Sequence, residues 1–483
     1  MRHIAFDPPF AHMHKWRGRL PYLYWEGFED MAGNGGGSAA EMAARARALM
    51  PGVIEDLGAL IRHPSVSFPG SSEGPVRAAA DATLAVLKKY GLFGARLMEI
   101  PGGYPAVYGE IPAPPGAPTV LLYAHYDVQP AKREDGWKTD PFVPVLTDGR
   151  LFGRGAADDK SGIVTIAAAL SLFGGRPPVG VKVIIEGEEE TESHLDAYVA
   201  AHPGFFACDA FVILDNGNLS AGDPALTTSL RGVVSCTVEV ATLDHPVHSG
   251  MFGGAAPDAL AALVRILASL YDAEGRVAVA GLATVAPPDA EYPEALYREG
   301  AGILDGVALV GTGALGARLW SGPAVSVIGI DAPSVAGAAN ILVPRARAKV
   351  SLRIAPDADP ARELGLLMAH LRAAAPWGAK VEVTETGRSA GFICPAGHQA
   401  TVAAKAALAA AYGRPVREKG SGGSIPLLSL LHAAAPDAGF VLFGAEDTAR
   451  SSIHGTNESV DVGELERCIV ALALFFALLA KGR

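Results

Sequence analysis

Short, mostly apolar runs recur along the chain, and charged or polar residues follow each of them directly. Residues 119–124, 181–185 and 210–214 are rich in Val, Ile and Leu, and a similar run covers residues 439–443. Apolar runs of this length with β-branched members are typical of strands that are buried on both faces of a parallel sheet. The pattern therefore predicts an α/β fold that is built on a mostly parallel sheet.

The residues that follow these predicted strands include histidines and acids, the side chains from which metal sites are built. Because the carboxyl ends of parallel strands meet at one edge of a sheet, we expect these side chains to converge there. Imidazole and carboxylate groups together suit several divalent metals. The candidate ligands are His125, Asp158, Glu190, Asp215 and His454.

Asp127 lies two residues after His125, at the predicted end of an extended strand. Side chains at positions i and i+2 of a strand point to the same side, so Asp127 can accept the imidazole N–H that His125 does not use for a metal. A lone His-x-Asp is more often a surface pair, and a run of acids such as residues 186–192 is more often a solvated helix start. The presence of both in one chain favours a metal site.

The glycine-rich segment 153–161 superficially resembles a phosphate-binding loop. Such a loop needs Gly immediately before its Lys, so that backbone N–H groups can surround the phosphate, whereas Asp159 precedes Lys160 here. The adjacent carboxylates of Asp158 and Asp159 would repel a nucleotide and suit a divalent cation. The segment therefore predicts part of the metal site.

A charge count indicates two ions rather than one. Two divalent ions bring four positive charges, which three carboxylates and a bridging hydroxide would balance. In hydrolases of this kind the ions lie roughly 3.5–4 Å apart. The adjacent acids Glu189 and Glu190 can divide their roles, one binding metal and the other acting as a base.

Four motifs occur in the order in which a known family carries them. They are His125-Tyr-Asp-Val-Gln-Pro130, Trp137-x-x-x-Pro141-Phe142, Asp148-Gly-x-Leu-x-Gly-Arg-Gly155 and the Glu189–Glu190 pair. From about residue 40 onward the chain resembles the di-zinc amidohydrolases, which include carnosinase-type dipeptidases, peptidase V, aminoacylase, glutamate carboxypeptidase and succinyl-diaminopimelate desuccinylase. Within the first motif, the sequence Val-Gln-Pro is most similar to the dipeptidase branch.

The resemblance implies a role for each candidate residue. His125, Asp158 and Asp215 would hold one ion, and Asp158, Glu190 and His454 would hold the other, so that Asp158 bridges them. Asp127 would orient His125, and Glu189 would be the general base. The ions would be zinc, although manganese or cobalt suit the same ligands. The resemblance also implies a cis peptide bond between Asp158 and Asp159.

The pattern changes in the second half of the chain. Predicted strands at 233–240, 325–330, 346–354 and 381–386 and predicted helices at 257–271 and 360–374 give the order strand-helix-strand-strand-helix-strand of a ferredoxin-like unit. We therefore predict a catalytic domain in two parts, residues 39–230 and 386–483. A lid and dimerisation domain, residues 231–385, would interrupt it, and residues 1–38 would form a flexible N-terminal extension.

The resemblance also identifies candidate substrate-binding residues. His248 matches a histidine that reaches the partner's active site in dimeric relatives. The His-Ser-Gly motif that begins at His248 favours this residue over His245. Arg353 matches a clamp for the substrate carboxylate, although an arginine in an alternating strand is more often a solvent-facing charge. Asn340 matches a neighbouring polar contact, and Ser424 lies in a glycine-rich turn that contacts substrate or, more simply, caps a helix.

Composition and charge narrow the remaining possibilities. A formal net charge of -11 gives no basic surface for nucleic acid. The cysteines, at positions 208, 236, 394 and 468, are too scattered for a disulfide framework or a zinc ribbon, which suits the cytoplasm. Residues 469–480 are apolar but fall short of the roughly 18 residues of a spanning helix, so a buried C-terminal helix is expected.

The N-terminal residues differ in composition from the rest. Residues 1–30 lack the continuous apolar core of a secretory signal, and residues 33–37 predict a flexible linker. Met31 is an alternative start.

Together these features predict a binuclear metal-dependent hydrolase that cleaves dipeptides or short peptides and forms a homodimer through its lid domain. Two alternatives stay open. One is an N-acyl or N-succinyl amino-acid deacylase, whose substrate would be an acyl-amino acid. The other is a metal-binding protein without activity, against which the intact Glu189 and Glu190 argue.

Overall fold

The computed structural model describes residues 38–288 and 291–482, so the predicted N-terminal extension lies outside the described residues except for Ser38. The α-helices of this part are α1 (Ala39–Ile61), α2 (Glu73–Lys89), α3 (Lys160–Ser171), α4 (Leu195–Ala201), α5 (Ser249–Phe252), α6 (Ala259–Ala268), α7 (Glu294–Ala301), α8 (Pro360–Ala373), α9 (Gln399–Tyr412), α10 (Leu427–Ala434) and α11 (Val462–Lys481).

The strands are β1 (Arg96–Met98), β2 (Ala106–Ile111), β3 (Thr119–His125), β4 (Val145–Thr147), β5 (Arg150–Phe152), β6 (Gly180–Glu186), β7 (Ala210–Ile213), β8 (Gly217–Asn218), β9 (Ala225–Leu230), β10 (Gly232–Ala241), β11 (Val247–His248), β12 (Ala324–Asp331), β13 (Ile341–Leu342), β14 (Arg345–Ile354), β15 (Lys380–Ser389), β16 (Phe392–Ile393), β17 (Arg417–Ser421), β18 (Gly439–Leu442), β19 (Glu446–Asp447) and β20 (Ser459–Asp461).

The largest sheet, which we call the central sheet, has the strand order β1-β2-β6-β3-β7-β18-β9-β16, with β17 also paired to β9. Its four middle strands, β6, β3, β7 and β18, are mutually parallel. These are the four strands that the apolar runs predict. The strands on both sides add antiparallel pairs, but the predicted α/β fold with a parallel centre is confirmed.

Successive residues of the middle strands enter different cores, which explains why their sequences are apolar throughout. In β3, Val120 and Leu122 pack into a core with helices α1, α3, α9 and α11, whereas Leu121 and Tyr123 pack into a second core with α4 and α10. Helix α11 is buried in the first core from Cys468 to Ala477, as predicted for the C-terminal apolar segment. Among the described residues, no helix combines the length and the apolar character needed to cross a membrane.

A second sheet contains the strands predicted for the ferredoxin-like unit. Its order is β12-β14-β10-β15, and every neighbouring pair is antiparallel. Helices α6 and α8 pack against it around a separate core. This order and these two helices are those of the predicted unit, and we refer to residues 231–385 as the insertion. The exact boundaries of the domains stay predictions.

One part of the insertion has no counterpart in the predicted unit. Residues 291–322, between α6 and β12, leave the second sheet and pack against the central one. Tyr292 and Trp320 form a small apolar cluster with Leu219, and Glu299 pairs with Arg450 at 2.9 Å. This segment, which we call the clasp, therefore connects the insertion to the loop that carries His454.

The contact between the clasp and β17 generates a prediction. A methyl group at Gly420 would overlap the Cβ of Trp320 and lie 3.1 Å from Ser229 Oγ. We expect Gly420→Ala to lower the free energy of unfolding by about 1–3 kcal/mol in urea titrations, because overpacking displaces the indole. Gly423→Ala is the matched control, since its added methyl has no neighbour closer than Ser421 Oγ at 3.6 Å. Equal stability of both variants would contradict the contact.

Candidate metal centre

His125 is the last residue of β3, and its imidazole is held in one orientation by Asp127. His125 Nδ1 lies 3.1 Å from the backbone carbonyl of Asp127 and 3.4 Å from its carboxylate. The other ring nitrogen, Nε2, therefore points to the sheet edge, where it lies 3.0 Å from Asp158 Oδ1 and 3.9 Å from Asp215 Oδ1. Asp215 follows β7, the neighbouring parallel strand.

The Asp127 carboxylate has a further function that the sequence pattern did not indicate. Its oxygens accept the backbone N–H groups of Glu189 and Glu190, both at 3.1 Å, and the hydroxyl of Ser67 at 2.7 Å. Asp127 is fully buried. One carboxylate thus fixes the turn after β6, which carries the two neighbouring glutamates, relative to His125.

Asp158 lies in the turn that leads into α3. Asp159 caps this helix by accepting the N–H of Gly162, and the peptide bond between Asp158 and Asp159 is cis, as expected from the resemblance. The side chain of Asp158 is buried and directs one oxygen to each histidine. Its Oδ1 is 3.0 Å from His125 Nε2, and its Oδ2 is 3.1 Å from His454 Nε2.

His454 comes from the loop between β19 and β20. Its backbone has φ of 59°, a left-handed conformation that is uncommon outside glycine and that tends to persist at functional sites. The imidazole Nε2 is 3.1 Å from Glu190 Oε2, and Gln129 donates to the same oxygen at 2.7 Å. Gln129 belongs to the Val-Gln-Pro motif, but its contact with Glu190 was not predicted.

The structure therefore brings all five predicted ligands into two overlapping groups. His125, Asp158 and Asp215 form one, and Asp158, Glu190 and His454 form the other; within each group the ligand atoms lie within 4.8 Å of one another. Asp158 belongs to both. The donors are imidazole nitrogens and carboxylate oxygens, which fit two divalent transition-metal ions.

The charges of the site are unbalanced without cations. Burial raises the pKa of Glu189 well above its usual range, and the nearby Asp215 raises it further. Burial and the charge of Asp158 likewise raise the pKa of Glu190. Hydrogen bonds to Asp158 and Glu190 raise the pKa of His454 to about 11. Glu189 and Glu190 thus attract protons strongly, and Glu190 would attract a metal ion for the same electrostatic reason.

Glu458 connects two ligand-bearing segments and was not recognised from the sequence. It is fully buried, and its two oxygens accept from four donors between residues 154 and 158. These donors are Arg154 Nη1 at 2.8 Å, Gly155 N at 3.0 Å, Ala157 N at 2.9 Å and Asp158 N at 3.1 Å. Arg154 also donates to the carbonyl of Gly455, beside His454. The only sequence signal for this role of Glu458 was its position four residues after His454.

The candidate substrate-binding residues lie in two places. Arg353, on β14, donates to Ser424 Oγ at 3.3 Å, so these two residues are adjacent. Helix α10 begins after Pro426, so Ser424 is not its cap. His248 and Asn340 are exposed on the short β11–β13 ladder, where the N–H of Ser249 donates to the carbonyl of Asn340. In the described part of the chain, the hydrogen bonds of His248 do not reach the metal-ligand candidates.

An α/β sheet with overlapping groups of histidines and carboxylates at one edge is the architecture of a metal-dependent hydrolase. The family model described as peptidase family M20/M25/M40 matches residues 121–477. The chain belongs to this family.

Individual relatives agree with the family assignment. A cysteinylglycine-S-conjugate dipeptidase of Corynebacterium striatum is 41% identical over 375 residues, which cover 76% of this chain and 82% of that protein. A Cys-Gly metallodipeptidase of Saccharomyces cerevisiae is 29% identical over 389 residues, 74% of this chain and 78% of that protein. The crystal structure of human carnosine dipeptidase 1 is similar with a TM-score of 0.77 and 26% identity, covering 92% of this chain and 99% of that one. The predicted resemblance to the dipeptidase branch is confirmed.

The contacts of Glu458 generate a prediction about metal affinity. In Glu458→Gln, an amide N–H₂ would face backbone N–H donors, so the turn that carries Asp158 should shift. We expect metal affinity to fall about 10–100-fold, the usual effect of losing a residue that orients a metal ligand. Competition with a chelating dye would measure it.

Glu464→Gln is the matched control for this experiment. Glu464 is also fully buried and also accepts from four donors, but these are Asn218, Gly222, Arg467 and Tyr412 rather than metal-site residues. Its replacement should lower stability and leave metal affinity unchanged. A similar loss of affinity in both variants would show that Glu458 acts only through general stability.

Proposed function

We propose that this protein is a dipeptidase that uses two metal ions to hydrolyse the peptide bond of dipeptides. The observation that carries the proposal is the pair of candidate ligand groups that share Asp158, with the half-buried Glu189 next to them. The relatives named as dipeptidases support peptide substrates over acyl-amino acids. A panel of dipeptides and N-acyl amino acids, assayed for released amine with zinc, manganese or cobalt, tests the assignment. Faster cleavage of the acyl-amino acids would favour a deacylase.

The metal ligands in this proposal are His125, Asp158 and Asp215 for one ion and Asp158, Glu190 and His454 for the other. When bound, such ions lower the pKa of a water molecule and polarise the scissile carbonyl. Zinc is the ion that we propose, because imidazole and carboxylate ligands suit it.

Glu189 is the residue that moves protons in this mechanism. It would take a proton from the attacking water and later deliver it to the leaving amine. Its backbone N–H donates to Asp127, so the backbone from which its side chain extends is fixed by a residue that also orients His125. Burial beside Asp215 favours the protonated form after the first transfer, which suits delivery of that proton to the amine.

Two variants distinguish the role of the general base, Glu189, from that of the bridging ligand, Asp158. Glu189→Gln should lower kcat by about 10²–10⁴-fold, the usual contribution of a general base, and leave two ions per chain. Asp158→Ala should empty both sites, because one carboxylate serves both ions. Elemental analysis after gel filtration would count the metals. One missing ion in Glu189→Gln would show that Glu189 is a ligand. Two tightly held ions in Asp158→Ala would show that Asp158 does not bridge the ions.

We further propose that the insertion forms a homodimer in which His248 stabilises the oxyanion in the partner's site. Strand β12 is an edge of the second sheet, and it exposes Val327, Ile328 and Ile330. An exposed apolar edge strand is a template for pairing with a second strand, and two copies of β12 would continue the sheet across the dimer. His248, exposed on the same insertion, would then be free to reach across.

Subunit mixing tests this arrangement. Inactive Glu189→Gln chains and inactive His248→Ala chains, mixed equally and allowed to exchange, should recover about a quarter of the wild-type activity, since half of the dimers are mixed and each has one intact site. Ile328→Lys in both chains should prevent recovery by placing a charge on the paired edge. No recovery despite demonstrated exchange would place His248 outside the partner's site.

The proposed location is the cytoplasm. All four cysteines are free, and Cys236, Cys394 and Cys468 are buried. Unpaired cysteines suit a reducing compartment.

A further inference from the structure

Two arginines lie close together where the insertion joins the central sheet. Arg231 immediately precedes β10, and Arg353 is paired with Val233 across the β10–β14 ladder. Positions 231 and 233 share one side of the extended chain, which places the two side chains on the same side. The charge of Arg353 accordingly contributes to lowering the pKa of Arg231, after the larger effect of burial.

Both arginines adjoin the glycine-rich turn at residues 421–424. The backbone N–H of Arg231 donates to the carbonyl of Ser421 at 3.1 Å, and Arg353 donates to Ser424 Oγ at 3.3 Å. A Cβ atom on Gly422 would lie 2.9 Å from Arg231 Nη2. The absence of a side chain at Gly422 therefore lets this guanidinium pack closely against the turn.

Neither arginine has an acidic partner in the part of the chain that the structure describes. Arg231 is only 7% exposed, and its side-chain hydrogen bonds are two long ones from Nη1, at 3.4 Å to the carbonyls of Arg318 and Gly322. Its Nε is buried without a partner. Arg353 has the single bond to Ser424.

A buried and a half-buried cation without a counter-ion are costly, because both lose hydration and the two repel each other. The carbonyls of Arg318 and Gly322, both in the clasp, hold one side of the Arg231 guanidinium and leave Nη2 facing Gly422. A carboxylate between the two arginines would neutralise charge and offer one oxygen to each guanidinium. A single negatively charged group is therefore the ligand that these contacts fit.

We propose that Arg231 acts together with Arg353 to bind the C-terminal carboxylate of the substrate. This inference rests on the proposed dipeptidase function and adds a second arginine to its carboxylate site. It also gives the clasp a role, because the clasp carbonyls orient Arg231.

The test compares Arg231→Lys and Arg353→Lys on a neutral dipeptide and on the same dipeptide with a C-terminal amide. Lysine keeps the charge but lacks the planar fork, and the amide lacks the anionic oxygen. Each variant should lose about 10–100-fold in kcat/KM on the free dipeptide, the effect of removing one charged hydrogen bond, and much less on the amide. Arg372→Lys, on α8 with a bond to the carbonyl of Val383, is the control that should change neither value.

A binding measurement keeps the result independent of turnover. Calorimetry on the metal-loaded Glu189→Gln protein, with and without Arg231→Lys, should show weaker binding of the free dipeptide and unchanged binding of the amide. Equal losses on both peptides in Arg231→Lys, with selective losses in Arg353→Lys, would mean that Arg231 only supports the turn, and would overturn the proposal. If wild-type protein cleaved neither peptide, the dipeptidase function would fail, and the calorimetric comparison would still decide the carboxylate site.

Discussion

The burial of several carboxylates at one edge of the central sheet is the constraint on which the rest of the structure depends. Asp158 lies within reach of Asp215 and His125 on one side and of Glu190 and His454 on the other. Carboxylates this close repel one another, and cations bound between them would relieve that repulsion. The helices and loops around this edge hold these side chains in place.

Three buried polar residues connect the segments that carry the ligands. Asp127 ties the Glu189–Glu190 turn to β3, Glu458 ties the Asp158 turn to the His454 loop, and Arg150 pairs with Asp447 at 2.7 Å at the start of that loop. Buried hydrogen-bonded charges of this kind are expensive to leave unpaired. The geometry of the ligands is therefore enforced by contacts between residues that are up to about 300 positions apart in sequence.

The middle of the sheet and the grouping of the candidate ligands could be predicted because their signals are local. An apolar run predicts a buried strand, and a histidine or acid that follows it predicts a shared edge, so β3, β6, β7 and β18 and the convergence of the five candidates were predicted. The strands β1 and β2, at one side of the sheet, were missed; the edge strand β1 (Arg96–Met98) is too short to have a distinctive pattern. The clasp and the roles of Glu458 and Gln129 depend on contacts between distant segments, which no local pattern records. The family resemblance supplied the division of roles among the ligands.

Anomalous diffraction from crystals of the zinc-loaded protein, recorded on both sides of the zinc absorption edge, would test the two-metal site. We expect two zinc peaks roughly 3.5–4 Å apart, with one oxygen of Asp158 bound to each ion, His125 and Asp215 on one and Glu190 and His454 on the other. A single peak, or two peaks without Asp158 between them, would contradict the two-metal site from which the proposed chemistry follows.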